Sequence, residues 1–357
     1  MILVSTPGTW SAVYQPLDHA AWNGWTPTDL VFPFLLFAMG AAVPLALARR
    51  KDAHRGRYPV HRHVLRRALL LFALGLLLNA IETPPPLRLA TFRIPGVLQR
   101  IALVYVAVAA VTETLPLEGQ VTAAAGALLA YWAALTLVPV PGAGAGALTP
   151  AGNLASFVDR ALLGRHLLTP DFDPEGLLST IPSVATALMG VFAGVWLSAP
   201  RGRRGWLWLW AAGAAATVAG LAWGRVFPIN KNLWTSSFAV FSGGIAAQVL
   251  ALCHWIVDEP RPAWHRWLST LSGPFSAFGR NALAAYFLSV GLDSLLTRWN
   301  AGNGLSLKAV LYRNGFASWL RPCCGSEAAS LAYALAYVAL WAIVFAELHR
   351  RRLFISI

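Results

Sequence analysis

Long runs of apolar residues, separated by short polar or basic segments, make up most of the 357-residue chain. A helix needs about 20 apolar residues to cross a bilayer, and these runs are that long. The runs fall at about residues 28–48, 65–81, 97–115, 120–139, 181–198, 206–226, 234–256, 273–296 and 329–348. The pattern predicts an all-α, polytopic integral membrane helix bundle of about nine transmembrane helices. It shows no internal repeat and no domain boundary, so residues 1–357 are expected to form a single transmembrane domain.

Composition agrees with this pattern. Hydrophobic residues make up 57% of the chain, charged residues only 12%, and the mean hydropathy is +0.56. So much apolar surface does not fit inside one soluble core. The net charge of +13 therefore does not indicate nucleic-acid binding.

The basic residues are distributed unequally between the two sides that alternating helices define. Sixteen Lys or Arg fall on one side and nine on the other. The sixteen lie in Arg49–Arg67, Arg201–Arg204, Arg261–Arg266 and Arg350–Arg352. Because Lys and Arg collect in cytoplasmic loops, this side, called the basic face below, is predicted to be cytoplasmic, with the C-terminus on it. His19 is then predicted to lie on the opposite side, the His19 face.

His19 lies just before the first long apolar run, in "DHAAWNGWTPTDLVFPFLLFAMG". It is followed by Trp22, Asn23, Trp25 and Asp29. A neutral imidazole there could accept a proton from an incoming amine or hydroxyl near neutral pH. The alternative is an interfacial polar residue beside two tryptophans of an aromatic belt.

Asp29 has two interpretations that do not exclude each other. Thr26 can cap the helix, Pro27 suits its first position, and a carboxylate three residues after the cap stabilises the helix N-terminus. The second interpretation is that the same carboxylate orients His19 or a bound substrate, and both roles could coexist.

A second polar group occurs in "FRIPGVLQRIALVY", where Arg93 precedes a predicted helix and Gln99 and Arg100 lie about one turn inside it. A charge inside a membrane span usually faces a polar cavity or a partner. Arg100 is therefore a site candidate. The alternative is an ion pair between helices, with Asp293 or Glu113 as the partner.

A third polar group occurs in "GRVFPINKNLWTSS", with Lys231, Asn232 and Trp234 at another helix junction on the His19 face. An ammonium and amides so near the membrane suit a polar or anionic ligand, although a solvated turn explains them equally well. Asp173 and Glu175 in "FDPEGLLSTIPS" can be helix caps. No histidine pair has metal-ligand spacing, so no metal site is expected.

Five motifs in series carry a resemblance that covers nearly the whole chain. They are "HAAWNGWTPTDLVFPFLLFAMG", "RIPGVLQRIALVY", "FDPEGLLSTIPSVATALMGVFAG", "PINKNLWTSSF" and "GRNALAAYF". In this order they resemble the heparan-alpha-glucosaminide N-acetyltransferase family. The resemblance implies a multi-helix membrane enzyme that passes an acetyl group from cytosolic acetyl-CoA to an amino sugar or glycan on the far side. For a bacterial homologue, that side is the periplasm and the location is the inner membrane.

The resemblance also implies residue roles. His19 is the expected catalytic residue, and the shared pocket is expected to contain Asp29, Arg93, Gln99, Arg100, Lys231, Asn232 and Trp234. The expected partners are acetyl-CoA, the acceptor and membrane lipid, with a homodimer left open and no nucleic acid. The chain departs from the family at its start, "MILVST", where a complete helix is usual, so an N-terminal helix is expected to be truncated. The rival interpretations are a transporter of a small polar solute and a catalytically inactive membrane protein.

Overall fold

The computed structural model describes residues 1–54, 60–83, 88–199, 204–258, 273, 275–302 and 304–353, without the side chains of 49–54 and 60. Within these residues the regular structure is helical, and β-pairing is limited to two isolated bridges. The α-helices are α1 (Ile2–Ser5), α2 (Val31–His54), α3 (Val60–Glu82), α4 (Val97–Thr114), α5 (Leu117–Leu137), α6 (Leu154–Leu163), α7 (Thr180–Ser198), α8 (Gly205–Trp223), α9 (Ser236–Val257), α10 (Ala282–Arg298), α11 (Leu307–Tyr312) and α12 (Ser318–Arg350).

Eight helical segments in the described chain are long and apolar enough to cross a membrane. Seven are α2 to α5 and α7 to α9, and the eighth runs through α11 and α12. The ninth predicted run, 273–296, corresponds to α10, which has 17 residues, and part of that run lies outside the described residues. The expected all-α polytopic membrane bundle is confirmed.

The centre of the bundle is formed by α2, α4, α7 and α9, which share one apolar core. α2 and α7 approach closely because small residues face each other. A Cβ atom on Gly40 would lie 1.9 Å from the carbonyl oxygen of Ala187, and one on Gly190 would lie 2.0 Å from that of Phe37. Close backbone approach at glycine is a common mode of helix association in membranes.

All four central helices begin on the His19 face, so the segments that precede them meet there. Asn153 caps α6, whose amphipathic sequence predicts a helix along the membrane surface; the helix is observed, and its surface position remains a prediction. The short α1 packs on α12, and the backbone N–H of Gly8 donates to the carbonyl of Ser330. This loop layer positions the polar residues predicted from the sequence.

Candidate active site

His19 and Asp29 form a hydrogen-bonded pair at the start of α2. His19 Nδ1 lies 2.7 Å from Asp29 Oδ1. The His19 side chain is 46% exposed, whereas that of Asp29 is 1% exposed. A buried carboxylate thus holds one ring nitrogen of an imidazole that remains open to the His19 face.

Both roles expected for Asp29 are present at once, on different oxygens. Asp29 Oδ2 accepts the backbone N–H of Thr26 at 2.9 Å, which is the predicted capping interaction, and that of Ala20 at 3.1 Å. Asp29 Oδ1 faces His19. Because the cap fixes the carboxylate, and the Ala20 contact fixes the backbone next to the imidazole, the pair is held in place from both sides.

Lys231 completes the cluster from the segment before α9. Its Nζ lies 3.1 Å from His19 Nδ1, 3.4 Å from His19 Nε2 and 3.7 Å from Asp29 Oδ1. Burial lowers the pKa of Lys231, and the nearby carboxylates of Glu175 and Asp29 oppose that effect. Since Nδ1 lies nearer to Asp29 than to Lys231, we assign the Nδ1 hydrogen to the Asp29 bond, which leaves Nε2 as the accepting nitrogen, with Lys231 Nζ at 3.4 Å.

The loop that carries His19 and the turn that carries Lys231 are joined by their backbones and amides. Asn230 Nδ2 donates to Asn23 Oδ1 at 3.1 Å, and the backbone N–H of Gly24 donates to the carbonyl of Ile229 at 2.8 Å. Asn232 lies half-buried in the same turn, next to Lys231. These cross-links explain how residues about 210 positions apart keep a fixed geometry. The solvated-turn interpretation of this segment is wrong, because Asn230 is fully buried.

Trp234 and Arg100 form a buried layer beneath the cluster. Trp234 has a positive φ of 49°, and its indole N–H donates to Thr186 Oγ1 at 3.1 Å. The Arg100 guanidinium lies 5.3 Å from the centre of the Trp234 ring and donates to the carbonyl of Gly176 at 3.0 Å and to Ser179 Oγ. Arg100 Nε and Nη1 are buried without a hydrogen-bond partner among the described residues, which is unusual for an arginine.

The inter-helix ion pairs considered for Arg100 are wrong. Asp293 pairs with Lys308, with Nζ and Oδ2 2.8 Å apart, and Glu113 pairs with His61 at 3.1 Å. Arg100 instead binds backbone and hydroxyl oxygens. Sequence spacing could not distinguish these arrangements, because the partners come from the segment before α7.

Arg93 links the segment before α4 to the segment before α7. It donates to both oxygens of Asp173 at 2.8 Å and to Glu175 Oε2 at 2.6 Å. Burial alone would lower the pKa of Arg93, but its hydrogen bonds to Asp173 and the charge of Glu175 outweigh burial and raise that pKa. Gln99 is buried one turn inside α4, with Nε2 unpaired among the described residues. Neither residue is shown in contact with His19. Arg93 is held by Asp173 and Glu175, and the Gln99 side chain lies against Gly75 of α3 and Gly96.

Asp159, on α6, is a buried acid that the sequence analysis did not select. Its Oδ1 accepts the backbone N–H of Leu177 at 2.8 Å, and burial raises its pKa to about 6. The sequence signal was a single aspartate in an amphipathic segment, "LASFVDRALL". Asp159 fixes the segment that carries Gly176 and therefore the carbonyl that Arg100 binds.

Fold and cluster together define a class: a polytopic membrane protein with a histidine, aspartate and lysine cluster where its central helices begin. Comparison with known proteins adds two findings. Residues 13–82, which hold His19 and Asp29, match a family model described as "Domain of unknown function (DUF5009)". Heparan-alpha-glucosaminide N-acetyltransferases from Mus musculus and Homo sapiens are 27% and 28% identical to this chain over 96% of its length.

The similarity expected from the five motifs is therefore confirmed. It is a similarity along almost the whole of this chain, while the chain spans only 56% of the length of those two relatives. Among the residues the structure describes, no group of three or more His, Cys, Asp or Glu side chains is placed to hold a metal ion.

Proposed function

We propose that the protein is a membrane N-acetyltransferase that moves an acetyl group from acetyl-CoA on the basic face to an amine on the His19 face. The observation that carries this proposal is the hydrogen bond from His19 to buried Asp29, with Lys231 beside both. The names of the two relatives support the same reaction class. An amino sugar or glycan at the periplasmic side of a bacterial inner membrane is the proposed acceptor, and the C-terminus is proposed to be cytoplasmic.

In this mechanism His19 is the base. Its Nε2 accepts a proton from the acceptor amine as the amine nitrogen attacks the thioester carbonyl. The C–S bond then breaks, and the departing thiolate takes up the proton from His19 to leave as a thiol. Asp29 stabilises the imidazolium that forms between these steps and keeps Nε2 pointed away from the helix.

A covalent route uses the same residues. His19 Nε2 can attack the thioester itself, release the thiol and hold the acetyl group until the amine takes it. The two routes differ in one observable. Labelled acetyl-CoA without acceptor leaves label on His19 only in the covalent route.

A cavity of about 450 Å³ supports donor binding from the basic face. It lies between α2, α3, α4 and the start of α10, and its lining is apolar apart from a few groups that include His63, Arg67 and Arg280. Arg67 stacks over Tyr105 at 5.2 Å, and its Nε is buried with no hydrogen-bond partner in the described chain. Apolar walls suit a pantetheine arm and guanidinium groups suit phosphates.

The test is acetyl transfer by the purified full chain in lipid nanodiscs, with radiolabelled acetyl-CoA and glucosamine. We expect transfer by the wild type and a loss of at least about 10²-fold in His19→Ala, the scale of general-base catalysis. The control is His254→Gln, because His254 lies near the basic-face end of α9 and, among the described residues, its side chain forms a hydrogen bond only with Asp258 in its own helix turn.

The rival interpretations give different results in the same preparation. A transporter would move a solute into liposomes without consuming acetyl-CoA, and an inactive protein would do neither. Full activity in a folded His19→Ala variant would contradict the proposed mechanism. Solute uptake that needs Lys231 and uses no acetyl-CoA would favour the transporter.

A further inference from the structure

A second cavity, of about 490 Å³ and lined mainly by polar residues, opens on the His19 face away from the cluster of His19, Asp29 and Lys231. It lies between the segment 8–11, the end of α3, the last turns of α10 and the start of α11. The side chains that matter for its chemistry are Trp10, Glu82, Asp293, Thr297, Arg298 and Lys308. None of them belongs to the expected pocket around His19. The volume suits a small ligand of monosaccharide to disaccharide size.

The charges around this cavity leave one carboxylate for a ligand. Lys308 is occupied by Asp293 at 2.8 Å, and Arg298 Nη1 donates to the carbonyl of Ile81. Glu82, which is exposed in the cavity wall, forms no hydrogen bond or ion pair with any residue the structure describes. Lys308 is thus neutralised by Asp293, whereas Arg298 keeps its charge beside a carbonyl. Glu82 is the lining carboxylate that has no hydrogen-bond partner among the described residues, and an ammonium is the group that suits it.

The rest of the lining suits a polyhydroxylated ring. Trp10 is 56% exposed and offers a flat apolar surface with a polar N–H at its edge. Hydroxyl groups surround it, from Thr9, Ser11, Ser294, Thr297 and Ser306. Asp293 Oδ1 and Arg298 Nε are buried without hydrogen-bond partners among the described residues, so the wall retains unused hydrogen-bonding capacity.

We propose that this cavity, the Trp10 pocket, binds an aminated sugar, with its ring against Trp10 and its ammonium on Glu82. The pocket also adjoins the segment that carries Arg93, because Asn79, about one turn before Glu82 in α3, donates from its side-chain amide to the backbone carbonyl of Arg93 at 2.9 Å. The pocket can therefore hold a unit of the acceptor that is not being acetylated, or hold the acceptor before transfer. This use of the pocket rests on the proposed function, whereas binding of the sugar does not.

The experiment measures sugar binding by saturation-transfer difference NMR on the full chain in nanodiscs at pH 7, without acetyl-CoA. The probes are glucosamine, glucose and N-acetylglucosamine, which share a ring and differ in the ammonium. We expect the wild type to bind glucosamine at least about tenfold more tightly than the other two sugars. Glu82→Gln should remove that preference, and Trp10→Ala should weaken binding of all three.

The matched control is Trp319→Ala, because Trp319 is also an exposed indole on the His19 face, at 60%, but lies outside the pocket. Thr297→Val serves as a second pocket variant if Trp10→Ala does not fold. Wild-type affinity in both Glu82→Gln and the folded second variant would overturn the proposal, and so would equal affinity of the wild type for glucosamine and glucose.

Failure of the two proposals is distinguishable. If the wild type binds the sugar but never transfers acetyl, and the pocket variants lose sugar binding, the result supports the Trp10 pocket and contradicts the proposed enzyme activity. Transfer that depends on His19 but leaves glucosamine binding unchanged in the pocket variants supports the enzyme and contradicts the pocket.

Discussion

The two carboxylate oxygens of Asp29 have different roles, one in helix capping and the other in positioning His19. One caps the start of the helical segment through Thr26, and the other receives His19. The arrangement makes the position of the imidazole a consequence of helix formation. Lys231 adds a cation to the same cluster, at 3.1 to 3.4 Å from the two ring nitrogens. Lys231 thereby contacts the imidazole and the carboxylate at once, and it holds the pair from the segment before α9.

The first prediction concerns this contact of Lys231. In Lys231→Met, kcat/KM at pH 7 should fall by about tenfold, because His19 and Asp29 lose the charged group that contacts both, and one charge-assisted hydrogen bond is worth about that factor. Lys231→Arg, which keeps the charge and a donor, is the control and should keep most of the activity.

A second readout for this prediction does not depend on the acceptor. Diethylpyrocarbonate reacts with the ring nitrogens of histidine, so its rate of reaction with His19, followed by mass spectrometry at constant pH, should rise in Lys231→Met, where no ammonium contacts those nitrogens. Equal kcat/KM and equal reaction rates in the wild type and Lys231→Met would contradict the proposed role.

At the scale of elements, apolar runs predict the helices well and their ends poorly. The predicted run 329–348 belongs to α12, which begins earlier, at Ser318. The prediction missed these first turns because "CCGSEAAS" is too polar to be recognised as part of a membrane helix. The chain bends within this element at Gly325, where φ is 88°. The charged C-terminal end of α2, which reaches His54, was missed for the same reason, because the predicted run stopped at residue 48. Hydropathy reports the part of a helix that lies in lipid, and not the turns that extend beyond it.

Site residues were predictable where they sit at helix starts and unpredictable where they depend on a distant partner. The sequence identified three polar residues at a predicted membrane boundary as site candidates: His19, Asp29 and Lys231. The contact of Asp29 with His19 was one of its two interpretations, whereas the contact of Lys231 with His19 was not predicted from the residues alone, because it joins segments that only the packed bundle brings together. The expected partners of Arg100 were wrong for that reason, and Asp159 was missed because one acid in an amphipathic helix is ordinary.

The second prediction tests how closely α2 and α7 pack. Gly190→Ala should destabilise the bundle by about 3 kcal/mol or more, because its Cβ would meet the Phe37 carbonyl oxygen at 2.0 Å and backbone cannot yield cheaply. Gly126→Ala, in α5, is the matched control, because no atom lies within 4 Å of its added Cβ. Thermal unfolding in detergent should show a large fall in Tm for the first and no fall for the second. Equal Tm values would contradict the close packing.

At the scale of the molecule, the two faces carry different chemistry. The basic face holds most of the Lys and Arg residues and the donor cavity with Arg67, whereas His19 and the Trp10 pocket lie on the other. The proposed reaction across the bundle needs this polarity, because its proposed donor and acceptor arrive from opposite sides. The donor site is the part of the proposal that can be tested without any acceptor.

The third prediction is that Arg67→Gln weakens binding of the donor and leaves binding of the acceptor unchanged. The KM for acetyl-CoA should rise about tenfold, the scale of one charge-assisted hydrogen bond, while the KM for glucosamine stays near its wild-type value. Arg66→Gln removes the same charge from the neighbouring position, which is exposed and does not line the cavity, and should change neither KM. Because free CoA should also stabilise the wild type against heat more than Arg67→Gln, the prediction can be checked without turnover. Equal effects of the two substitutions would mean that CoA responds only to the overall charge of the basic face, and the donor cavity would then have to lie elsewhere.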